Sequence, residues 1–182
     1  FQQSVNFNYY DPYFTLDGIS RGYNVFFRRL DYDARNIARY STDSAGGGVT
    51  FGFPIGETQR INFGMNIEHT EIREGFAAAQ EISEFIDRNG PDALNFKANL
   101  SWIRSTLNRG VFADRGSSQS IGATISAPGS ELEFYRLTYQ GEKYFPLTNV
   151  FTFKLRTELG FGGSFGDTPS LPFYEHFFAG GF

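Results

Sequence analysis

The sequence predicts an all-β protein, an antiparallel β-barrel that spans a membrane with strands. Apolar and polar residues alternate along about eight stretches of the chain, most of them about ten residues long. Aromatic residues make up 18% of the chain, mainly as 22 Phe and 10 Tyr, and there are 21 Gly residues. Connectors at one end of the predicted strands are mostly compact, and most of those at the other end are longer. These features together are typical of outer-membrane barrels.

The clearest strand is 149–161, where successive side chains should point to opposite faces. We assign its apolar odd-numbered residues to lipid and its charged even-numbered residues to the lumen. We expect the charges to pair with one another or with Arg136 and Glu142 of the preceding strand, which gives a charge-balanced polar lumen. A selectivity filter is the alternative interpretation. The lipid-facing residues are Phe151, Phe153, Leu155, Leu159 and Phe161, and the lumenal ones are Lys154, Arg156 and Glu158.

Seven further strands are predicted from the same alternation. Compact connectors rich in Pro, Gly or Asp and flanked by aromatic residues follow the first, third and seventh strands, at 11–18, 54–58 and 146–148. The connector 105–118 at the same end is longer, and 128–129 is a tight turn at the opposite end. The predicted ranges are 4–10, 19–30, 39–53, 60–72, 94–103, 119–127 and 134–145.

One connector, 73–93, contains a helical pattern. Its apolar residues recur at intervals of three or four, which predicts a short loop helix that Asn89, Gly90 and Pro91 would end. We interpret it as a helix that rests on the barrel rim, and a helix that docks a partner is the alternative. The apolar residues of the pattern are Phe76, Ala79, Ile82, Phe85 and Ile86.

Composition excludes several classes of function. No window approaches eighteen consecutive apolar residues, so no transmembrane helix is predicted. The net charge of −4 and the absence of a basic block argue against nucleic acid as a partner. Because the chain contains no Cys, disulfides, thiolate metal sites and thiol nucleophiles are excluded.

We predict no catalytic, cofactor or metal site, and therefore no enzyme and no cofactor. His69 and His176 are far apart in the sequence, and their spacing does not indicate a metal site. The acidic pairs Glu71 with Glu74 and Asp31 with Asp33 are interpreted as solvated loop residues, with cation binding as the alternative. The glycine run 46–48 lacks the Lys and Ser/Thr of a phosphate loop, and we expect it to mark a kink or a close backbone approach.

Five segments carry more specific sequence motifs. Residues 8–18 read NYYDPYFTLDG, residues 20–27 read SRGYNVFF, and residues 171–181 read LPFYEHFFAGG. Residues 50–55 read TFGFPI, and residues 105–112 read STLNRGVF. Together they resemble the C-terminal barrel of the BamA family of outer-membrane protein assembly factors. The resemblance covers essentially the whole chain and is most specific in the first and last motifs.

The resemblance implies a barrel of about sixteen strands in the bacterial outer membrane, preceded by periplasmic POTRA domains. Residues 1–182 would form a partial barrel domain, roughly the third to the tenth strand, with the POTRA domains and the remaining strands outside this chain. Residues 11–18 would be a periplasmic turn, and 171–181 would lead into a long loop. The implied partners are outer-membrane lipid, unfolded outer-membrane protein clients, and accessory lipoproteins that bind the POTRA domains.

The implied function is that of a barrel scaffold in an insertase, which folds and inserts other barrel proteins without covalent chemistry. Such a protein would template strands at a weak seam, because exposed strand edges pair readily with other strands. One alternative is a polypeptide-secretion or translocation barrel of the same superfamily. Another is a soluble ligand-binding barrel, in which the apolar residues would face inward.

Overall fold

The computed structural model describes residues 2–31, 40–74, 80–148, 150–166, 168, 170–172 and 175–177. Within these residues the chain forms eight β-strands and one α-helix. The helix α1, Gln80–Asn89, lies between β4 and β5. The strands are β1 Gln2–Asp11, β2 Ser20–Asp31, β3 Tyr40–Gly56, β4 Gln59–Glu74, β5 Asp92–Ser105, β6 Gly116–Ser126, β7 Phe134–Pro146 and β8 Thr152–Ser164.

The strands form a single antiparallel sheet in chain order from β1 to β8. Each strand pairs with the next in a long register, such as Val5 opposite Phe27 and Lys97 opposite Asn66. The order contains no pairing of β8 with β1 among the described residues, so each of these strands has one unpaired edge. The antiparallel all-β prediction is confirmed, and the sheet is not closed.

The two faces of the sheet differ as the alternation predicts. The four residues of β8 that we assigned to lipid, Phe153, Leu155, Leu159 and Phe161, are 52–64% exposed, in the manner of a surface that faces hydrocarbon. Phe151 is also exposed, but it lies in the turn before β8. Its carbonyl oxygen accepts the backbone N–H groups of Leu147 and Thr148 there. We call the apolar face the outer wall and the opposite face the lumenal wall.

Strand ends differ from the predictions where hydrogen bonding continues past a turn residue. β3 extends through Pro54 to Gly56, with a register shift between these two residues, so the connector to β4 is only 57–58. Proline is tolerated at such an irregularity because no ladder hydrogen bond is required of its nitrogen. The compact connectors 12–19, 57–58 and 147–151 lie at one end of the sheet with 106–115, and this is called the short-turn end.

The predicted loop helix is present as α1, which ends where the sequence indicated. Gly90 has φ +86° and donates its backbone N–H to Ile86 O at 2.8 Å, a helix end that favours glycine. Phe76 and Ala79 lie outside the described residues, as do the side chains of Ile82 and Phe85. No helix in the described ranges is long and apolar enough to cross a membrane.

Candidate functional site

The lumenal wall carries a compact cluster of four charged side chains, Glu68, Lys97, Arg136 and Glu175, which we call the lumenal clamp. Lys97 Nζ donates to Glu68 Oε2 at 2.9 Å and to Glu175 Oε1 at 2.7 Å. Arg136 Nη1 donates to the second oxygen of Glu175. The side chains of Lys97, Glu68 and Glu175 are only 11–15% exposed, so these ion pairs are shielded from solvent.

Strand alternation and one turn bring the clamp together. Glu68 on β4, Lys97 on β5 and Arg136 on β7 all lie on the lumenal wall in registers that pair Asn66 with Lys97 and Thr124 with Arg136. Glu175 arrives from beyond β8, where its backbone N–H donates to Pro172 O at 2.8 Å. The clamp therefore fastens Glu175 directly to β5 and β7, and Lys97 links it to Glu68 on β4.

Aromatic rings and a small apolar core hold the clamp in place. Lys97 Nζ lies 5.5 Å from the Phe134 ring centroid, and Arg136 Cζ lies 4.8 Å from that of Phe177. Phe134 is fully buried with Leu132 and Ala93, and Leu171 packs against this core. Cation–π contacts of this kind strengthen when water is excluded. Leu171, Glu175 and Phe177 are thus held by apolar packing as well as by charge.

Glycine in β8 creates the space that the anchored segment occupies. A Cβ placed at Gly160 would lie 2.6 Å from the Phe177 ring. A Cβ at Gly162 would lie 3.1 Å from Tyr135 O and 3.2 Å from Leu171 Cδ2. Both glycines face the lumen, so the wall of β8 is bare where these apolar side chains lie. The absence of side chains at these two positions lets the segment approach the sheet closely.

A polar cavity of about 420 Å³ adjoins the clamp. All four clamp residues line this cavity. The clamp consists of two cations and two anions, so its net charge is zero. Such an arrangement can hold a chain segment in place, and each of its charges already has a partner. Other lining residues are Asn24, Arg28, Ser44, Asn66, Thr70 and Thr124.

The predicted charge pairs of β7 and β8 are formed in part. Lys154 Nζ lies 2.9 Å from Glu142 Oε2 across the hairpin, which confirms that pairing. Arg156 and Glu158 pair with each other within β8. Arg136 pairs instead with Glu175, because the segment after β8 folds back over the lumenal wall. No local pattern of residues indicates that return.

The other candidate residues lie apart from the clamp or take no part in it. His69 is on the outer wall of β4, and the His176 ring lies 3.0 Å from Leu171 O. Glu71 and Glu74 lie in β4 and Asp31 ends β2, so the loop interpretation is wrong for these three residues. Glu71 pairs with Arg73 at 3.1 Å. The side chains of Asp31 and Glu74 and the whole of Asp33 lie outside the described residues. Within the described ranges no group of three His, Cys, Asp or Glu residues is placed to hold a metal ion.

The glycine run 46–48 marks a close approach, as we expected. A Cβ at Gly46 would lie 2.9 Å from the Phe26 ring, and one at Gly48 would overlap the side-chain oxygen of Asn66. The side chains of neighbouring strands therefore lie flat across β3 on the lumenal wall.

Comparison with known proteins agrees with this architecture. The family model described as the Omp85 superfamily domain matches residues 1–182. The chain belongs to the Omp85 superfamily. The outer membrane protein assembly factor BamA of Neisseria meningitidis serogroup B is 34% identical over 181 residues, which is 94% of this chain and 23% of that protein. The chain therefore spans less than a quarter of the length of this Omp85 relative.

A solved Omp85 structure has the same fold. The crystal structure of BamA from Haemophilus ducreyi lacking POTRA domains 1–3 superposes with a TM-score of 0.91 at 28% identity. The match covers 99% of this chain and 36% of that chain. This Omp85 chain accordingly has the fold of an outer-membrane β-barrel. The soluble-barrel alternative is wrong, since it requires the apolar residues to face inward, whereas they form the exposed outer wall.

Proposed function

We propose that this chain forms part of the barrel scaffold of an insertase, which folds β-barrel proteins and inserts them into the bacterial outer membrane. The observation that carries the proposal is the match of 99% of the chain to a BamA barrel with a TM-score of 0.91. The 34% identical relative is an outer membrane protein assembly factor, which supports the same proposal. Residues 1–182 would then be one part of a larger barrel, with POTRA domains elsewhere in the whole protein.

Two physical features fit a scaffold that works without covalent chemistry. Long antiparallel strands present backbone donors and acceptors at each edge, and an added strand can pair with such an edge. The lumenal clamp fixes the segment after β8 inside the wall, which gives the wall a rigid support near its loops. We infer that unfolded outer-membrane proteins and lipid are the partners, and that accessory lipoproteins bind through POTRA domains.

The test is a folding assay with the full-length protein in proteoliposomes. A client barrel protein, unfolded in urea, is diluted into these vesicles, and its folded fraction is followed by the mobility shift of unheated samples on a gel. We expect faster client folding than in vesicles that contain a barrel protein of another family at equal density. Equal rates in the two vesicle preparations would contradict the proposal.

The secretion alternative has one supporting observation, the polar cavity of about 420 Å³ on the lumenal wall. A translocation barrel would move a polypeptide through such a lumen instead of releasing it into the bilayer. Protease protection in the same vesicles separates the two functions. A client that becomes protease-resistant inside the vesicle without a folded-band shift would favour secretion.

A further inference from the structure

Charged side chains of the outer wall are arranged differently at its two ends. At the end opposite the short turns, the cations are paired with acids. Arg29 Nη2 lies 2.6 Å from Asp43 Oδ2, and Arg73 Nη2 lies 3.2 Å from the same oxygen. Arg73 also contacts Glu71 at 3.1 Å. At this end of the wall, both Arg29 and Arg73 therefore have acidic partners within the sheet.

The short-turn end carries three outer-wall cations, Arg21 on β2, Arg104 on β5 and Lys143 on β7. Their outward direction follows from the registers that set them opposite Phe51, Gln59 and Leu155. None of the salt bridges within the described ranges involves them. We call these three residues the cation row.

Acidic residues near the cation row are engaged elsewhere or lie in turns. Asp11, opposite Arg21 in the register, accepts the backbone N–H of Tyr13 at 3.1 Å. Asp17 and Glu57 lie in the connectors 12–19 and 57–58, beyond the strand ends. Asp114, in the connector 106–115, pairs with Arg115 at 3.4 Å. The cation row therefore has no acid of the described chain as a salt-bridge partner.

Aromatic rings hold two of the three cations at the wall. Arg21 Cζ lies 3.9 Å from the Phe14 ring centroid and 5.3 Å from that of Tyr23. Lys143 Nζ lies 4.8 Å from the Phe145 ring centroid. Ring faces attract a cation but accept its N–H groups poorly, and Arg21 Nε is buried with no hydrogen-bond partner within the described residues. Two rings therefore position the Arg21 guanidinium, and within the described residues its Nε has no hydrogen-bond acceptor.

The cation row lies at the edge of the lipid-facing surface. On β2 the next outward residues after Arg21 are Tyr23 and Val25, which are 43% and 60% exposed. Aromatic and basic residues at such an edge lie at the level of lipid headgroups. Short turns mark the periplasmic side of outer-membrane barrels, so the headgroups at this edge belong to the periplasmic leaflet.

We propose that the cation row binds the phosphodiester groups of lipids in the periplasmic leaflet, with Arg21 as its best-formed site. A phosphate oxygen can accept from the terminal Nη groups of Arg21, for which the described residues supply no salt-bridge partner, while Phe14 and Tyr23 keep the guanidinium at the wall. The inference rests on the membrane location of the chain and is independent of the proposed insertion activity.

The experiment measures lipid binding to the full-length protein in detergent by native mass spectrometry. Phosphatidylglycerol is titrated against the unsubstituted protein, Arg21→Gln, and a triple variant with Arg104→Gln and Lys143→Gln added. One juxtamembrane cation near anionic headgroups is equivalent to about a fivefold change in affinity. We expect about fivefold weaker binding for Arg21→Gln and a further loss for the triple variant.

The matched control is Arg73→Gln, which removes a cation from the same wall at its ion-paired end and should leave lipid affinity unchanged. Diacylglycerol with the same acyl chains should bind all variants equally, and inorganic phosphate alone should not displace the lipid. Unchanged affinity in Arg21→Gln and the triple variant would overturn the proposal and leave a protein partner as the acceptor. Equal loss in Arg73→Gln, or displacement by inorganic phosphate, would also overturn it.

Discussion

Lys97 is the residue on which the lumenal clamp depends, because its single ammonium group contacts both Glu68 and Glu175. Substitution Lys97→Met leaves Glu68 shielded and without a cation, since Glu175 retains Arg136. Removing one partner of a buried ion pair costs about 3 kcal/mol in the free energy of unfolding. We expect the urea midpoint of the full-length barrel in detergent to fall accordingly, as followed by the gel mobility of unheated samples.

The double variant Lys97→Met with Glu68→Gln tests the cause of that loss. Because the second change removes the unpaired charge, it should restore part of the stability lost in the single variant. Glu158→Gln is the control, because the Glu158 carboxylate is 52% exposed and pairs with Arg156 near solvent. Its removal should change the free energy of unfolding by less than about 0.5 kcal/mol. A double variant no more stable than Lys97→Met would contradict the unpaired-charge explanation.

A second prediction for a single residue concerns Gly48. A Cβ there would overlap the Asn66 side chain and lie 2.6 Å from Met65 O, so Gly48→Ala must displace both. We expect a loss of about 1–3 kcal/mol in unfolding free energy, the usual cost of overpacking, measured by the same urea titration. Gly56→Ala is the matched control on the same strand, since nothing lies within 4 Å of its Cβ position.

Asn66→Ala in the Gly48→Ala background separates the two obstacles. It removes the overlapping amide but not the backbone oxygen of Met65, so recovery should be partial. No recovery at all would show that the amide is not the obstacle.

At the scale of elements, close packing of Phe177 against Gly160 holds the chain beyond β8 against that strand. Gly160→Val would occupy the space that the Phe177 ring fills, because a Cβ at Gly160 lies 2.6 Å from that ring. We expect residues 175–177 to leave the wall and become sensitive to protease, while β8 itself remains folded. Limited proteolysis of the full-length protein in detergent, with cleavage sites read by mass spectrometry, measures this.

Phe177→Ala should expose the same segment without altering β8, which makes it the companion variant to Gly160→Val. Gly110→Val serves as the control, since its Cβ position has no neighbour within 4 Å. Protection equal to that of the unsubstituted protein in both Gly160→Val and Phe177→Ala would mean that ring packing does not hold the segment.

The strands could be predicted from sequence because alternation is a local property. Val5, Phe7 and Tyr9 already indicate one exposed face of β1, and the structure shows them at 51–71% exposure. The clamp could not be predicted in this way. Lys97 and Glu175 are 78 positions apart, and the hydrogen bond from Glu175 to Pro172 belongs to a turn that leaves no periodic signal in the sequence. The cation row was also missed, since pairing of charges is visible only when strands are in register.

At the scale of the whole molecule, the open sheet leaves backbone groups of β1 and β8 unpaired along one edge each. Unpaired backbone groups cannot remain in hydrocarbon, where each costs several kcal/mol. A polypeptide limited to residues 1–182 should therefore close by joining β1 to β8, pair with a second copy through these edges, or aggregate. In the larger barrel that we propose, the same two strands would pair with their own neighbours.

Cross-linking in detergent distinguishes these outcomes. The chain has no Cys, so the substitutions Asn6→Cys on β1 and Glu158→Cys on β8, both on the lumenal wall, introduce the only thiols. With a flexible bismaleimide, a closed sheet gives an internal link and unchanged mass on a gel, whereas edge pairing between copies gives a dimer. A monodisperse 1–182 species that forms neither link would contradict the argument from unpaired edges, since both edges would then tolerate the apolar environment alone. The same cysteines in the full-length protein are the control and should form no link, because neighbouring strands would separate them.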